Sequence, residues 1–347
     1  MREAHPGASF DQSSLEFGCM GTEMRITVVH GVHDKHRAGQ ALARMEAFFR
    51  EAERRFSRFR DDSELSELNR TGHLVRPSAD FIEVMGRAVR WRQLTNGVFN
   101  PSVLPSLEEA GYDCDFASVS ARSRRGRIGA SPLDPDDCLI TLTTDEEGRT
   151  RVDLEPGARV DLGGIVKGWA ADRDSEHLRE FAGTLVDSGG DISAHGRRPD
   201  GHPWIAGVAD PDHPDELIDA IAMESGGLAT SNIRKRSWDD GVGRAHHIID
   251  PMLGAPARSG VVQATVFAHS TEAADVLAKC VVVIGPERGL QLVESFAGAR
   301  ALLVLEPGSP KIRQSGSPGT TGTGEILESK GWASLRPANP IPIELSV

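Results

Sequence analysis

Between positions 38 and 56 apolar residues recur at 38, 41, 42, 45, 48, 49, 52 and 56, the spacing of one face of an α-helix. A helix of that length with one apolar stripe must lay the stripe on another layer. The run MRITVV at 24–29, just before it, supplies a strand for that layer. The spacing predicts a second helix over 81–94, with Ser78 or Asp80 as its cap and Asn96-Gly97 as its stop. Short β-like runs then recur at 140–142, 151–154, 159–162, 184–186 and 204–208, with further helices at 168–182 and 270–284. Strands and helices are mixed without regular βαβ alternation, which points to an α+β fold rather than a doubly wound sheet.

Residues 1–14 are polar and expected to be disordered, and 113–137 reads as an irregular excursion. From 307 to 347 the chain is a Gly/Ser/Pro-rich tail, expected to add little to the core. No run approaches the roughly 18 apolar residues that cross a bilayer, so membrane insertion is not expected. The N-terminal residues show neither a basic segment followed by an apolar one nor a small-residue cleavage site. Cys19, Cys114, Cys138 and Cys280 are dispersed without a C-x-x-C, which fits neither a zinc site nor a disulfide framework. A cytoplasmic setting is the expectation.

Charge narrows the function classes. With 39 Lys and Arg against 51 Asp and Glu, the formal net charge is −12, so the surface should repel polyanions and a general nucleic-acid binder is excluded. Any phosphate this chain handles needs a local cradle. Only six of the 39 cations are lysines (Lys35, Lys167, Lys235, Lys279, Lys311 and Lys330), so each is informative.

Four stretches have the make-up of a site. VDLGGIVKGWAAD, residues 160–172, joins an apolar run, an acid, two glycines and Lys167 at the start of a helix. Glycines admit a ligand to the backbone, and free N–H groups at a helix start attract anions by about 0.3–1 kcal/mol per charge. It matches neither standard glycine-rich phosphate fingerprint, and a tight strand-to-helix turn accounts for the same residues. LVDSGGDI, 185–192, is either a plain β-turn or a turn presenting N–H groups and a carboxylate. HHIIDPMLGAP, 246–256, offers an imidazole as base or metal ligand, or simply two surface histidines at a strand end. STEAADVLAKCVVVIG, 270–285, is an apolar helix capped by Ser270, with Asp275 and Lys279 at i and i+4. Those two can be an ordinary ion pair, or the carboxylate can hold Mg²⁺.

The order of these pieces resembles the ApbE family, the FAD:protein FMN transferases. That family's motifs look like MGT, S-R-F…S-E-L…L-N, G-x-F-D-P-T-V, D-L-G-G-I-A-K-G, L-x-x-x-G-G-D, A-T-S, H-I-I-D-P-x-x-G-x-P and A-D-A-L-x-T. Here they read MGTEMRI, FSRFRDDSELSELN, NGVFNPSVLP, DLGGIVKG, LVDSGGDI, LATSN, HHIIDPMLGAP and AADVLAKC, between about 16 and 305. The resemblance implies a T-fold-like α+β architecture over 15–306, with mixed or antiparallel sheets, packed helices and FAD in a cleft. Carried over by position, it implies that Met20, Phe59, Val98, Phe99, Asn100, Asp161, Lys167 and Ile248 line the FAD site. It puts His247 in the catalytic region and a divalent metal, Mg²⁺, at Gly164 and Asp275.

The implied activity moves FMN from FAD to a Ser or Thr hydroxyl of an acceptor flavoprotein and releases AMP. The alternatives are FAD hydrolysis to FMN and AMP, and a non-catalytic flavin-binding protein. His247 is the candidate base, since an ordinary imidazole titrates near neutrality. Three positions depart from the family: Asn100 for Asp, Ser102 for Thr, and Lys279 for the metal-site Thr. A charged ammonium has no lone pair to give a metal. The expectation is therefore weak Mg²⁺ binding, or Lys279 as a built-in cation. The tail's SPGTTGTG loosely resembles a flavinylation target and equally a flexible linker.

Overall fold

In the run at 24–29 the side chains alternate: Met24, Ile26 and Val28 enter a core beneath the helices, while Val29 enters a second core on the other face. That alternation sets a three-layer molecule. The structure, a computed structural model, describes residues 9–120, 132–134, 137, 139–239, 243–308, 320–321 and 324–338.

In chain order the strands are β1 (Phe10–Cys19), β2 (Thr22–Gly31), β3 (His73–Val75), β4 (Ile140–Thr144), β5 (Thr150–Leu154), β6 (Gly183–Ser188), β7 (Ile192–Gly196), β8 (Trp204–Ala209) and β9 (Leu217–Met223). They continue with β10 (Ser225–Asn232), β11 (Ser237–Asp239), β12 (Arg244–His246), β13 (Ile249–Asp250), β14 (Ala255–Pro256), β15 (Val261–Ala268), β16 (Arg300–Leu305), β17 (Thr320–Thr321) and β18 (Gly324–Glu328). Nine of them form one sheet in the order β1-β2-β6-β7-β10-β15-β16-β18-β17. Each adjacent pair is antiparallel.

The helices are α1 (Lys35–Phe56), α2 (Glu64–Thr71), α3 (Ala79–Leu94), α4 (Leu104–Glu109), α5 (Phe116–Ser120), α6 (Val166–His177), α7 (Thr271–Ile284) and α8 (Pro286–Ser295). The buried face of α1 is the stripe read from the sequence, apart from the half-buried Phe48. Ser78 caps α3 and Ser270 caps α7, each accepting an N–H three residues on. On the sheet's other face lies the β8–β9 hairpin, with Trp204, Ala206, Ile221 and Met223 in the second core. No helix among the described residues is long and apolar enough to cross a membrane.

Three expectations are corrected. Residues 159–162 form no strand, although Val160 and Leu162 are fully buried. The Asn69 side chain takes the place of a ladder, donating to the Val160 carbonyl at 2.8 Å and accepting its N–H at 2.7 Å. Residues 10–14, expected to be disordered, belong to β1, held by pairing with β2 rather than by apolar content of their own. The tail beyond 307 returns to the core: β18 pairs with β16, and Trp332 is fully buried beside Leu302 and Val304. Of SPGTTGTG only residues 320–321 and 324 are described, and within the excursion at 113–137 residues 121–131, 135 and 136 lie outside the described residues, as does Cys138.

Candidate functional site

Two hairpin turns form one wall. Cys19 pairs with Thr22, so the β1–β2 loop is just Met20-Gly21, with φ of 52° and 69°. Two-residue loops with both φ positive favour Asn and Gly, and a side chain like Met costs about 1–2 kcal/mol there. The Met20 N–H is tied to Glu53 Oε1 of α1 at 2.7 Å. In the β6–β7 turn the Gly190 N–H donates to Asp187 Oδ1 at 2.7 Å, and any side chain at Gly189 would strike Thr22. The two turns are thereby in contact.

The glycine turn before α6 is the second wall. Asp161 Oδ1 accepts the Gly163 N–H at 2.9 Å, and Oδ2 pairs with Arg58 Nε at 2.8 Å. Arg58 is buried, its guanidinium 4.2 Å from the Phe59 ring centre and 4.6 Å from that of Tyr112. Phe59 itself is 45% exposed, an apolar ring left open to a ligand. A Cβ added at Gly164 would lie 3.2 Å from the Phe99 ring and 3.4 Å from the Lys279 stem, so no other residue fits there without a shift. Val98 is half-buried and Phe99 buried. Asn100 Oδ1 accepts the Ser102 N–H at 2.9 Å, a capping role an amide oxygen fills as well as a carboxylate.

Cations converge between these walls. Lys167 is ion-paired with Asp191, Lys279 with Asp275, and Arg236 reaches the Gly21 carbonyl at 3.4 Å. Burial pushes the Lys167 ammonium down to about 8; Asp275 opposes this, while Lys279, Arg236 and Lys235 add to it. Burial, then Arg236, Lys279 and His246, push the His247 imidazole down to about 3. At neutral pH it is uncharged, and its Nδ1 lies 3.4 Å from the Arg236 carbonyl. His246 is structural: Nδ1 accepts the Ile248 N–H at 3.3 Å and Nε2 lies 2.9 Å from the Ala257 carbonyl, so Nε2 carries the proton. Ile248 is buried in the main core and ties the strand end to Ala257.

The sequence-derived residues thus cluster, with Asp191 and the β6–β7 turn joined to them. Missed were Arg58, Arg236 and Tyr112. Tyr112 is the chain's single tyrosine, and Arg234-Lys235-Arg236 stands out as a run of three cations in an acidic chain, so both carried a compositional signal. Arg58 is the Arg of the quoted S-R-F motif, so it too carried a signal.

The metal position needs separate weighing. Asp275 Oδ2 is buried with no hydrogen-bond partner, which alone would favour a cation there. Against it, Oδ1 is held by the Lys279 ammonium, and the Lys279 Nζ lies 3.5 Å from the Asp275 carbonyl. Lys167 also feels Asp275 and Lys279 electrostatically, so a divalent ion would face two ammonium groups. An ammonium donates and cannot ligate. These residues do not fit a divalent metal.

A sequence profile described as the ApbE family matches residues 20–303. The FAD:protein FMN transferase of Vibrio cholerae serotype O1 is 30% identical over 300 residues, covering 82% of this chain and 85% of that one. The enzyme of the same name from Haemophilus influenzae is 26% identical over 294 residues, covering 81% and 83%. Among solved structures, the ApbE protein of Thermotoga maritima MSB8 superposes with a TM-score of 0.77 at 25% identity, covering 94% of this chain and all of that one.

Proposed function

Because this chain belongs to the ApbE family, we propose that it is an FAD:protein FMN transferase, moving FMN from FAD to a Ser or Thr hydroxyl of an acceptor flavoprotein. One observation carries this: in a chain of net charge −12, Lys167, Lys235, Arg236 and Lys279 act together on one spot beside the glycine turn. Such a focus attracts an anion such as a diphosphate.

The acceptor oxygen attacks the phosphorus of the FMN half. The bond from that phosphorus to the bridging oxygen breaks, and AMP leaves with that oxygen. The hydroxyl proton passes to His247, which is uncharged at neutral pH. Met20, Phe59, Val98 and Phe99 provide the apolar surface for the flavin; Asp161 fixes the glycine turn and Asn100 the turn at 101–103. Ile248 sets the strand end that carries His247. We place the reaction in the cytoplasm, from the dispersed cysteines.

Purified protein incubated with FAD, with and without a Ser/Thr-containing acceptor, should release AMP together with an FMN adduct on the acceptor. AMP with free FMN would make the chain a hydrolase, bound FAD without AMP a binding protein, and no flavin fluorescence quenching would defeat the reading.

A further inference from the structure

We infer that Lys279 is the resident cation of the diphosphate site, so that this chain binds and positions FAD without a divalent metal. The inference rests on the FAD-handling reading above and deepens it.

The geometry gives Lys279 the attributes such an ion needs. It is anchored by a carboxylate, since Asp275 is almost fully buried and holds Nζ through Oδ1. It is placed against the glycine turn, because the Lys279 stem packs where a Cβ at Gly164 would lie, 3.4 Å from Cδ and Cε. And its charge is felt at both neighbours that matter, Lys167 and His247. Lys167 has the same design, an ammonium paired with the buried Asp191. The site thus carries two lysines, each on its own buried acid, reaching it from α6 and α7. A monovalent ammonium fixed to the backbone replaces a mobile divalent ion, with the donors not held by Asp275 left to offer phosphate oxygens.

The test is FAD binding, read by flavin fluorescence in chelator and in millimolar Mg²⁺, for the wild type, Lys279→Thr and Lys279→Arg. The wild type should bind equally well in both media, and calorimetry with Mg²⁺ alone should show no binding. Lys279→Thr should lose about ten- to hundredfold affinity in chelator, as for a lost charge-assisted hydrogen bond, and recover it with Mg²⁺. Lys279→Arg keeps the charge and should stay metal-independent, which guards against a fold defect at this position. Wild-type binding that requires Mg²⁺, or a Thr variant as tight as wild type in chelator, would overturn the inference and leave the transferase reading intact. Absence of FAD binding in every protein and medium would overturn the transferase reading itself, and the inference with it.

Discussion

His247 and Lys167 show how one electrostatic field sets two protonation states. Each is pushed down first by burial and then by neighbouring cations, His247 to about 3 and Lys167 to about 8. Burial is the larger cause at His247; a bound diphosphate would offset Arg236 and Lys279 but not the burial. The same linkage acts on Lys167, whose ammonium is favoured by the ligand. A ligand that raises a pKa binds more tightly below it, so FAD affinity should be flat near neutral pH and fall as pH rises through about 8. The limit is about tenfold per pH unit for one proton. Lys167→Arg should remove the fall, because guanidinium keeps its charge there. Flavin fluorescence titrations across that range would decide it, and an unchanged pH profile in Lys167→Arg would assign the effect to another group.

At the level of elements, the two lysines meet because α6 and α7 are locked in register. A Cβ on Gly168 would come within 2.8 Å of the Glu272 Cα and the Thr271 carbonyl, backbone atoms with little freedom to retreat. One turn later Asp172 accepts the N–H groups of Thr271 and Glu272 at 2.8 and 2.9 Å, filling the start of α7. Gly168→Ala should therefore cost about 1–3 kcal/mol by overpacking. It should also weaken FAD binding by spreading Lys167 from Lys279, seen as a lower unfolding temperature together with lower affinity. A variant as stable and as tight as wild type would show that the crossing is loose. This contact explains what could be read from the chain and what could not. The glycine turn and Lys167 lie in one short stretch and were legible; their partner helix begins about a hundred residues later. Helices α1 and α3 were legible because one face of each meets water and leaves a period. Strands β15 and β16 are buried on both faces, so VVQATVFA and RALLVL show no alternation. Arg58 and Arg236 entered the site only through tertiary contact.

For the whole molecule, the Gly/Ser/Pro composition of the last forty or so residues concealed a structural role. The face of β16 that carries Leu302 and Val304 needs a cover, and the chain comes back to provide it: β18 extends the sheet and Trp332 closes the second core. The indole N–H donates to Asp219 Oδ2 at 2.9 Å, and Arg336 holds the same carboxylate with bonds of 2.6 to 3.0 Å, so the returning segment is latched to β9. No local pattern announces this, because one tryptophan in a polar stretch is uninformative until its pocket exists. The consequence separates stability from function. Trp332 lies in the core on the hairpin side of the sheet, while Lys167, Lys279 and His247 stand on elements at the helix side and beyond the strand ends. Trp332→Ala should thus cost about 3–5 kcal/mol, as for a large aromatic removed from a packed core. The urea midpoint should drop with little change in slope, and FAD affinity measured well below that midpoint should stay within about twofold, a shift of under 0.5 kcal/mol. A variant with an unchanged midpoint would make the returning segment a passive covering. One that stayed folded but lost FAD would show that the two faces of the sheet are mechanically coupled.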